Sequence, residues 1–202
     1  PSSLIREDGL MAEKTGRGLS REEALALLRS RMKADHLFKH CLASEAIMQA
    51  LGQRLGEDPE GWGIVGLIHD LDFEETQNTP QQHTLKAAEV LRELGVAEEI
   101  IEAIQANNAE ALGIPRESKL GIALACAETL TGLIVATALI MPDKKLAGVK
   151  PKSVLKRMKE PAFARNVNRE IIRECRRLGL NLEEFVELSL QAMQGISEAL
   201  GL

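Results

Sequence analysis

Apolar residues recur at three- and four-residue intervals along most of this chain, and the intervals break where Gly or Pro clusters with polar residues. That spacing predicts amphipathic helices. Ser20-Arg-Glu-Glu23 has the form of a capping box and opens a helix carrying Leu25, Leu27 and Leu28. A second helix is expected over about 35–55, ended by Gly56 and Pro59. The apolar run Trp62–Ile68 forms a short helix that stops near His69, and residues 72–80 form a polar loop closing on Thr79-Pro80. Further helices follow over about 82–94, stopped by Gly95, and over about 97–107. Gly113 and Pro115 precede an apolar helix over 120–141. Pro142, Pro151 and Pro161 divide a basic connection, and Gly179 separates two last helices, about 168–178 and 182–200. No run of alternating β-branched residues predicts a strand. The expected fold is all-α. It comprises a polar tail at 1–18 and a single helical bundle over 19–202, with a core at 36–141 and a carboxy-terminal helical extension at 151–202.

Composition narrows this picture. With 202 residues and 45% apolar content, the chain can bury one sizeable core. Aromatics make up 2%, so that core must be built from Leu, Ile, Ala, Val and Met. The net charge of −5 argues against a nucleic acid polymer as partner. Locally the balance reverses. Lys144, Lys145, Lys150, Lys152, Lys156, Arg157 and Lys159 follow one another with no acidic residue between them. This stretch reads equally as a solvated surface or as an attractor for a phosphorylated substrate. The three cysteines are odd in number and widely spaced, and no secretory signal is recognised. A reducing, cytoplasmic location is expected. Cys41 should point off the face of its neighbour His40, and Cys126 reads as a small core residue.

The segment Leu120–Met141 carries one charge, Glu128. Its length would allow a bilayer span, for which about 20 apolar residues suffice. A central Glu and the polar Thr129, Thr131 and Thr137 are costly in lipid, so no membrane partner is expected. The segment reads as the central helix of a soluble bundle, carrying Glu128 into the core, where a carboxylate needs a partner. Upstream, His69 and Asp70 are consecutive. Neighbours on a helix point about 100° apart, but at a helix end they can converge on one point, and a metal ion is one object that draws them together. His40 lies in another helical stretch.

In that order, His40, His69-Asp70 and a carboxylate at Glu128, the chain resembles the HD-domain superfamily of metal-dependent phosphohydrolases, whose pattern is H…HD…D, over roughly 36–141. His69-Asp-Leu-Asp72, Leu130-Thr-Gly-Leu133 and the stretch 142–157 are similar to a subgroup of small predicted HD hydrolases. The resemblance implies that His40, His69, Asp70 and Glu128 hold one divalent transition metal (Mn, Fe, Ni, Co or Zn) with positions left open for water and substrate. It implies attack of activated water on phosphorus, with Asp70 also holding that water.

Around this quartet each residue has an alternative. Asp72, Glu74 or Glu75 could act as general acid or orient a ligand imidazole, and at least two of them read as solvated loop charges. His83, opening the next helix, could donate to a substrate phosphate or be a surface cap. His36 is one turn from His40 and reads as a neighbour of the site, because Leu37 stands where a protease HExxH motif needs Glu. Thr131 could reach a carboxylate, while Gly132 reads as helix packing. Lys144 and Lys145 lie about 24 Å along the chain from Glu128 at 1.5 Å per residue, and Arg165 and Arg169 are weaker candidates.

Two departures bear on function. The last ligand of the pattern is Asp, where this chain has Glu128, and Asn107 and Asn108 stand where two-metal relatives carry histidine, so a full two-metal site is not expected. The absence of a GYP element and the few histidines argue against a cyclic-dinucleotide phosphodiesterase. The leading expectation is an enzyme acting on a small phosphorylated substrate, with a nucleotide among the candidates. The alternatives are a noncatalytic metal- or nucleotide-binding module and a helical interaction protein.

Overall fold

A computed structural model describes residues 18–202, so the expected tail lies outside the described residues except for Gly18. Among the described residues there are helices and turns and no strand. In chain order the α-helices are α1 (Arg21–Arg31), α2 (Asp35–Arg54), α3 (Pro59–Ile68), α4 (Phe73–Thr76), α5 (Leu85–Glu93) and α6 (Glu98–Ala106). They continue with α7 (Ala109–Leu112), α8 (Lys119–Leu139), α9 (Pro151–Met158), α10 (Arg169–Arg173), α11 (Leu182–Gln194) and α12 (Ser197–Leu200).

Local chemistry explains most boundaries. Ser20 Oγ accepts from Glu23 N–H at 3.1 Å and Ser20 N–H donates to the Glu23 carboxylate at 2.9 Å, which closes the capping box of α1. Asn181 and Glu184 do the same for α11. Pro59 and Pro151 sit in the first turns of α3 and α9, where a missing N–H costs nothing. Gly95 and Gly179 turn the chain at φ 75° and 78°.

The basic stretch is more ordered than its prolines suggest, because Val154 and Met158 of α9 reach the core. The polar loop contains the single turn α4. The helix expected from 82 begins instead at Leu85, because Pro80–Gln82 is a 3-10 turn and Thr84 is left-handed at φ 73°. The last helix breaks at Gly195 and resumes as α12.

The centre of the fold is α8, which packs against α2, α3, α6, α9, α10 and α11. It is apolar on nearly every side, and such a helix is stable in the middle of a bundle. By length and composition alone it could cross a membrane, but 67% of its most apolar window is buried inside the fold. One partly open stripe remains, formed by Glu128, Gly132, Val135, Ala136 and Leu139 at helical spacing.

The helices α2 and α3 lie so close that a Cβ on Gly66 would stand 2.7 Å from the Ser44 carbonyl oxygen and 2.9 Å from Glu45 N. Backbone cannot yield as a side chain can. Gly66→Ala is therefore expected to part the two helices at a cost of about 1–3 kcal/mol, read as a lower urea midpoint with unchanged slope.

Arg169, one of the candidates for substrate contact, is committed elsewhere. Its guanidinium donates to the carbonyls of Ala164 (2.8 Å), Val167 (3.1 Å), Arg157 (3.1 Å), Glu160 (3.0 Å) and Phe163. It gathers the turn between α9 and α10, and Val167 of that turn meets α8 at Gly132, where an added Cβ would lie 3.3 Å from Cγ2. Gly132 thus serves packing, as its sequence reading has it.

Candidate metal centre

Three helices bring their chemistry to one point. His40 comes from α2, His69 and Asp70 from the end of α3, and Glu128 from α8. The Nε2 atoms of His40 and His69 face each other at 3.2 Å. Asp70 lies 3.4 Å from each of these nitrogens, one oxygen toward each, and Glu128 Oε2 lies 3.5 Å from His40 Nε2. One ligand atom each from His40, His69 and Glu128 falls within 4.8 Å of the others. The sequence-chosen quartet is therefore together in space. Glu128 differs from expectation in one respect. Its side chain is 23% exposed, not deep in the core, because it sits on the open stripe of α8.

The second nitrogen of each ring assigns the tautomers through the hydrogen-bond network. His69 Nδ1 lies 2.6 Å from the Gly66 carbonyl, which can only accept, so Nδ1 carries the proton. Thr131 Oγ1 donates its single proton to the Glu128 carbonyl at 2.6 Å and lies 3.0 Å from His40 Nδ1, so it accepts from that nitrogen. Both rings thus turn an Nε2 lone pair into the same small space, flanked by two carboxylates. Unshielded lone pairs at this distance repel, and a shared cation removes the repulsion. Imidazole nitrogen with carboxylate oxygen suits a borderline divalent transition metal.

The electrostatics agree. Burial works against the ionised form of Asp70, but His69, His83 and His40 outweigh it and hold the carboxyl well below the usual range. Burial opposes charge on His40, yet Glu128 and Asp70 raise its pKa, so the two carboxylates favour positive charge at Nε2, which a cation would supply in place of a proton. Burial, then the charge of Asp70, holds the Cys41 thiol well above its ordinary range.

Beside the quartet stands an ordered pair. Asp72 is 1% exposed, so it is not a solvated loop charge. Its Oδ1 lies 2.8 Å from His83 Nδ1 and its Oδ2 accepts the Ala87 N–H at 2.9 Å. His83 Nε2 then faces Asp70 Oδ1 at 3.3 Å. His83 precedes α5 by two residues, so it is neither the first residue of that helix nor a surface cap. Burial lowers its pKa, but Asp70 and Asp72 together lift it to about 9. Asn108 steadies the same turn by donating to the carbonyls of Pro80 (2.9 Å) and His83 (3.0 Å). Glu74 is also engaged, accepting the Lys33 and Ala34 N–H groups at 2.6 and 3.4 Å at the start of α2. Of the three acids following the pair, only Glu75 is exposed, 3.4 Å from Arg31.

The sequence reading missed the roles of Gly66 and Thr131 as orienters of the two imidazoles. The only signal was spacing, since each lies one helical turn from a candidate ligand: three residues before His69 and three after Glu128. Thr131→Val keeps the shape of a side chain that is 1% exposed but removes the acceptor for His40 Nδ1–H. Affinity for manganese is expected to fall about 10–100-fold while the circular dichroism spectrum is unchanged, as chelator competition would measure.

Compared with known proteins, the chain matches one family model, described as HD domain, over residues 37–136. That span contains His40, His69, Asp70 and Glu128. The match supports the domain and not the narrower subgroup. No curated protein and no solved structure matches the chain.

Proposed function

Because residues 37–136 of this chain are an HD domain, typically a metal-dependent phosphohydrolase, we propose that it hydrolyses a small phosphate ester at the centre formed by His40, His69, Asp70 and Glu128. The observation that carries this reading is the pair of Nε2 atoms 3.2 Å apart, both tautomers fixed so that their lone pairs converge between carboxylates. These four residues would hold one divalent ion, and HD domains bind divalent metals. When bound, such an ion supplies Lewis acidity, neutralising charge on the phosphoryl group and acidifying water.

The remaining work falls to the chain itself. Asp70 orients the attacking water and accepts its hydrogen bond. Asp72 fixes the Nδ1–H side of His83 and leaves Nε2–H toward the centre. His83, protonated at neutral pH by its two carboxylates, donates that proton to the leaving oxygen as the bond from phosphorus breaks. The partly exposed faces of His40 and Glu128 leave an approach for substrate. The three cysteines are free, which is consistent with our proposal of a reducing cytoplasmic location.

Elemental analysis of the purified protein beside Glu128→Ala, followed by a phosphate-release assay with manganese, tests the reading. Near-stoichiometric metal lost in the variant, with metal-dependent phosphate release, is expected. Metal that stabilises the protein without release from any ester would favour the binding-module alternative. No metal in the wild type after incubation with Mn, Fe, Ni, Co or Zn would remove both.

A further inference from the structure

A cavity of about 370 Å³ adjoins the centre, with His40 and Thr131 forming part of its wall. This lies within the range of small-molecule sites, about 300–1,000 Å³. Beyond those two residues its lining is mostly aliphatic, with Ala43 from α2, Val135, Ala136 and Leu139 from α8, and Leu200 and Leu202 from the end of the described chain, while His36 and Lys39 of α2 and Gly132 complete the wall. The open stripe of α8 joins the two places. Glu128 stands at the metal centre, and Gly132, Val135, Ala136 and Leu139 continue along the same face over about 16 Å at 1.5 Å per residue. Of the four centre residues His40 also lines the cavity, so a molecule whose phosphate sits at the centre has a mostly aliphatic pocket on the far side of that ring and along the same face of α8.

The chemistry of the lining selects the occupant. Among the described residues that line it, there is no Phe or Trp to stack on a base, and no Asn, Gln, Asp or Glu to read its polar edge. A sugar would likewise find few partners for its hydroxyls. The cations are peripheral, since Lys39 pairs with Asp35 at 2.9 Å and His36 is exposed. Apolar walls gain from burying methylene groups and little else.

We propose that the substrate is a phosphate ester of an aliphatic alcohol, with the alkyl chain in this cavity. The proposal rests on the phosphohydrolase reading and specifies the group that leaves. Water forms the new bond to phosphorus, the bond from phosphorus to the alkyl oxygen breaks, and that oxygen takes a proton. The products are an aliphatic alcohol and inorganic phosphate. No redox partner is needed.

The test separates binding from turnover. Alkylphosphonates of one to eight carbons, whose carbon–phosphorus bond is not hydrolysed, are titrated calorimetrically into the protein as purified and after manganese loading. Affinity is expected to rise about threefold to fourfold per methylene until the cavity is filled, and then to level off. Ala136→Leu, which fills the cavity, should bring the plateau to shorter chains. Leu139→Glu, at a side chain already 48% exposed, should reduce the slope without a folding risk. A flat series overturns the proposal, as does preferential binding of adenosine monophosphate. So does a dimer in solution that Leu139→Glu dissociates, because a second copy would then cover this face. The matching alkyl phosphates are assayed for phosphate release in parallel. Chain-length-dependent binding without release would overturn the phosphohydrolase reading and leave the cavity assignment standing. Release with no chain-length dependence would do the reverse.

Discussion

His69→Ala is expected to yield a folded protein that retains no transition metal after purification. The imidazole is fully buried, its Nδ1–H is tied to the Gly66 carbonyl, and its Nε2 is within 3.4 Å of both His40 and Asp70. Its loss removes one lone pair from the convergent set and leaves a space that water would enter. Loss of an outer hydrogen-bond partner costs a metal site about 10–100-fold in affinity, and loss of a ligand should exceed that. We expect a decrease greater than about a hundredfold, measured by chelator competition and by metal content. Glu75→Ala is the control, because Glu75 is exposed and, among the described residues, pairs with Arg31. Full metal occupancy in His69→Ala would refute the ligand assignment. Loss of metal in both variants would mean the effect is not specific to the centre.

Asp72→Asn should spare the metal and impair the chemistry. The carboxylate serves two donors at once, His83 Nδ1–H and the Ala87 N–H. An asparagine oxygen can satisfy only one of them. If it keeps Ala87, its NH2 group confronts His83 Nδ1 and forces the tautomer in which that nitrogen accepts. His83 then loses a charge partner and is no longer held protonated. Where His83 is the proton donor, kcat should fall by about 10²–10⁴ with metal content unchanged and KM little altered. An unchanged kcat would remove His83 and Asp72 from the mechanism.

The same pair has a pH signature in chelator-treated protein. Burial opposes the charge on His83, but Asp70 and Asp72 prevail and lift its pKa from 6.5 to about 9. A group whose pKa is higher in the folded state stabilises the fold fully below the unfolded value. Its contribution is therefore complete below about pH 6.5 and is lost as the pH rises through about 9. In Asp72→Asn that loss should begin at lower pH, which urea unfolding across this range would detect.

The residues that meet at the candidate centre were legible because adjacency and order are properties of sequence. His69-Asp70 at a helix end, His40 on an earlier helix and a lone carboxylate on an apolar one are readable from the sequence. Ring orientation was not. It depends on a backbone carbonyl of Gly66 and on a hydroxyl of Thr131 that reaches across from α8 to α2. Which of the three acids after His69-Asp70 is ordered was not legible, for a related reason. An acidic run after a helix usually faces water, and only tertiary packing brings Ala87 and His83 onto the Asp72 carboxylate. Glu128 was placed too deep because α8 is apolar nearly all round, so periodicity could not tell which stripe stays open. The start of α5 was missed because a left-handed Thr84 carries no turn signal comparable to Gly.

The position of α8 governs how the protein opens. The donors at the centre are carried by α2, by the end of α3 and by α8, and these segments pack on one another. Local fluctuations that expose amides to solvent involve weakly packed units first, while densely packed units open only with the whole molecule. Because α2 packs on both α3 and α8, separating these carriers is expected to disrupt much of the core. Amide hydrogens in the middle of α8 and α2 should therefore be among the slowest to exchange, and the donor cluster should dissolve only in global unfolding. An ion bound there stabilises the entire fold by mass action, about 2.7 kcal/mol at a free concentration one hundred times Kd. If the centre binds an ion as proposed, the melting temperature should therefore rise with the free concentration of that ion.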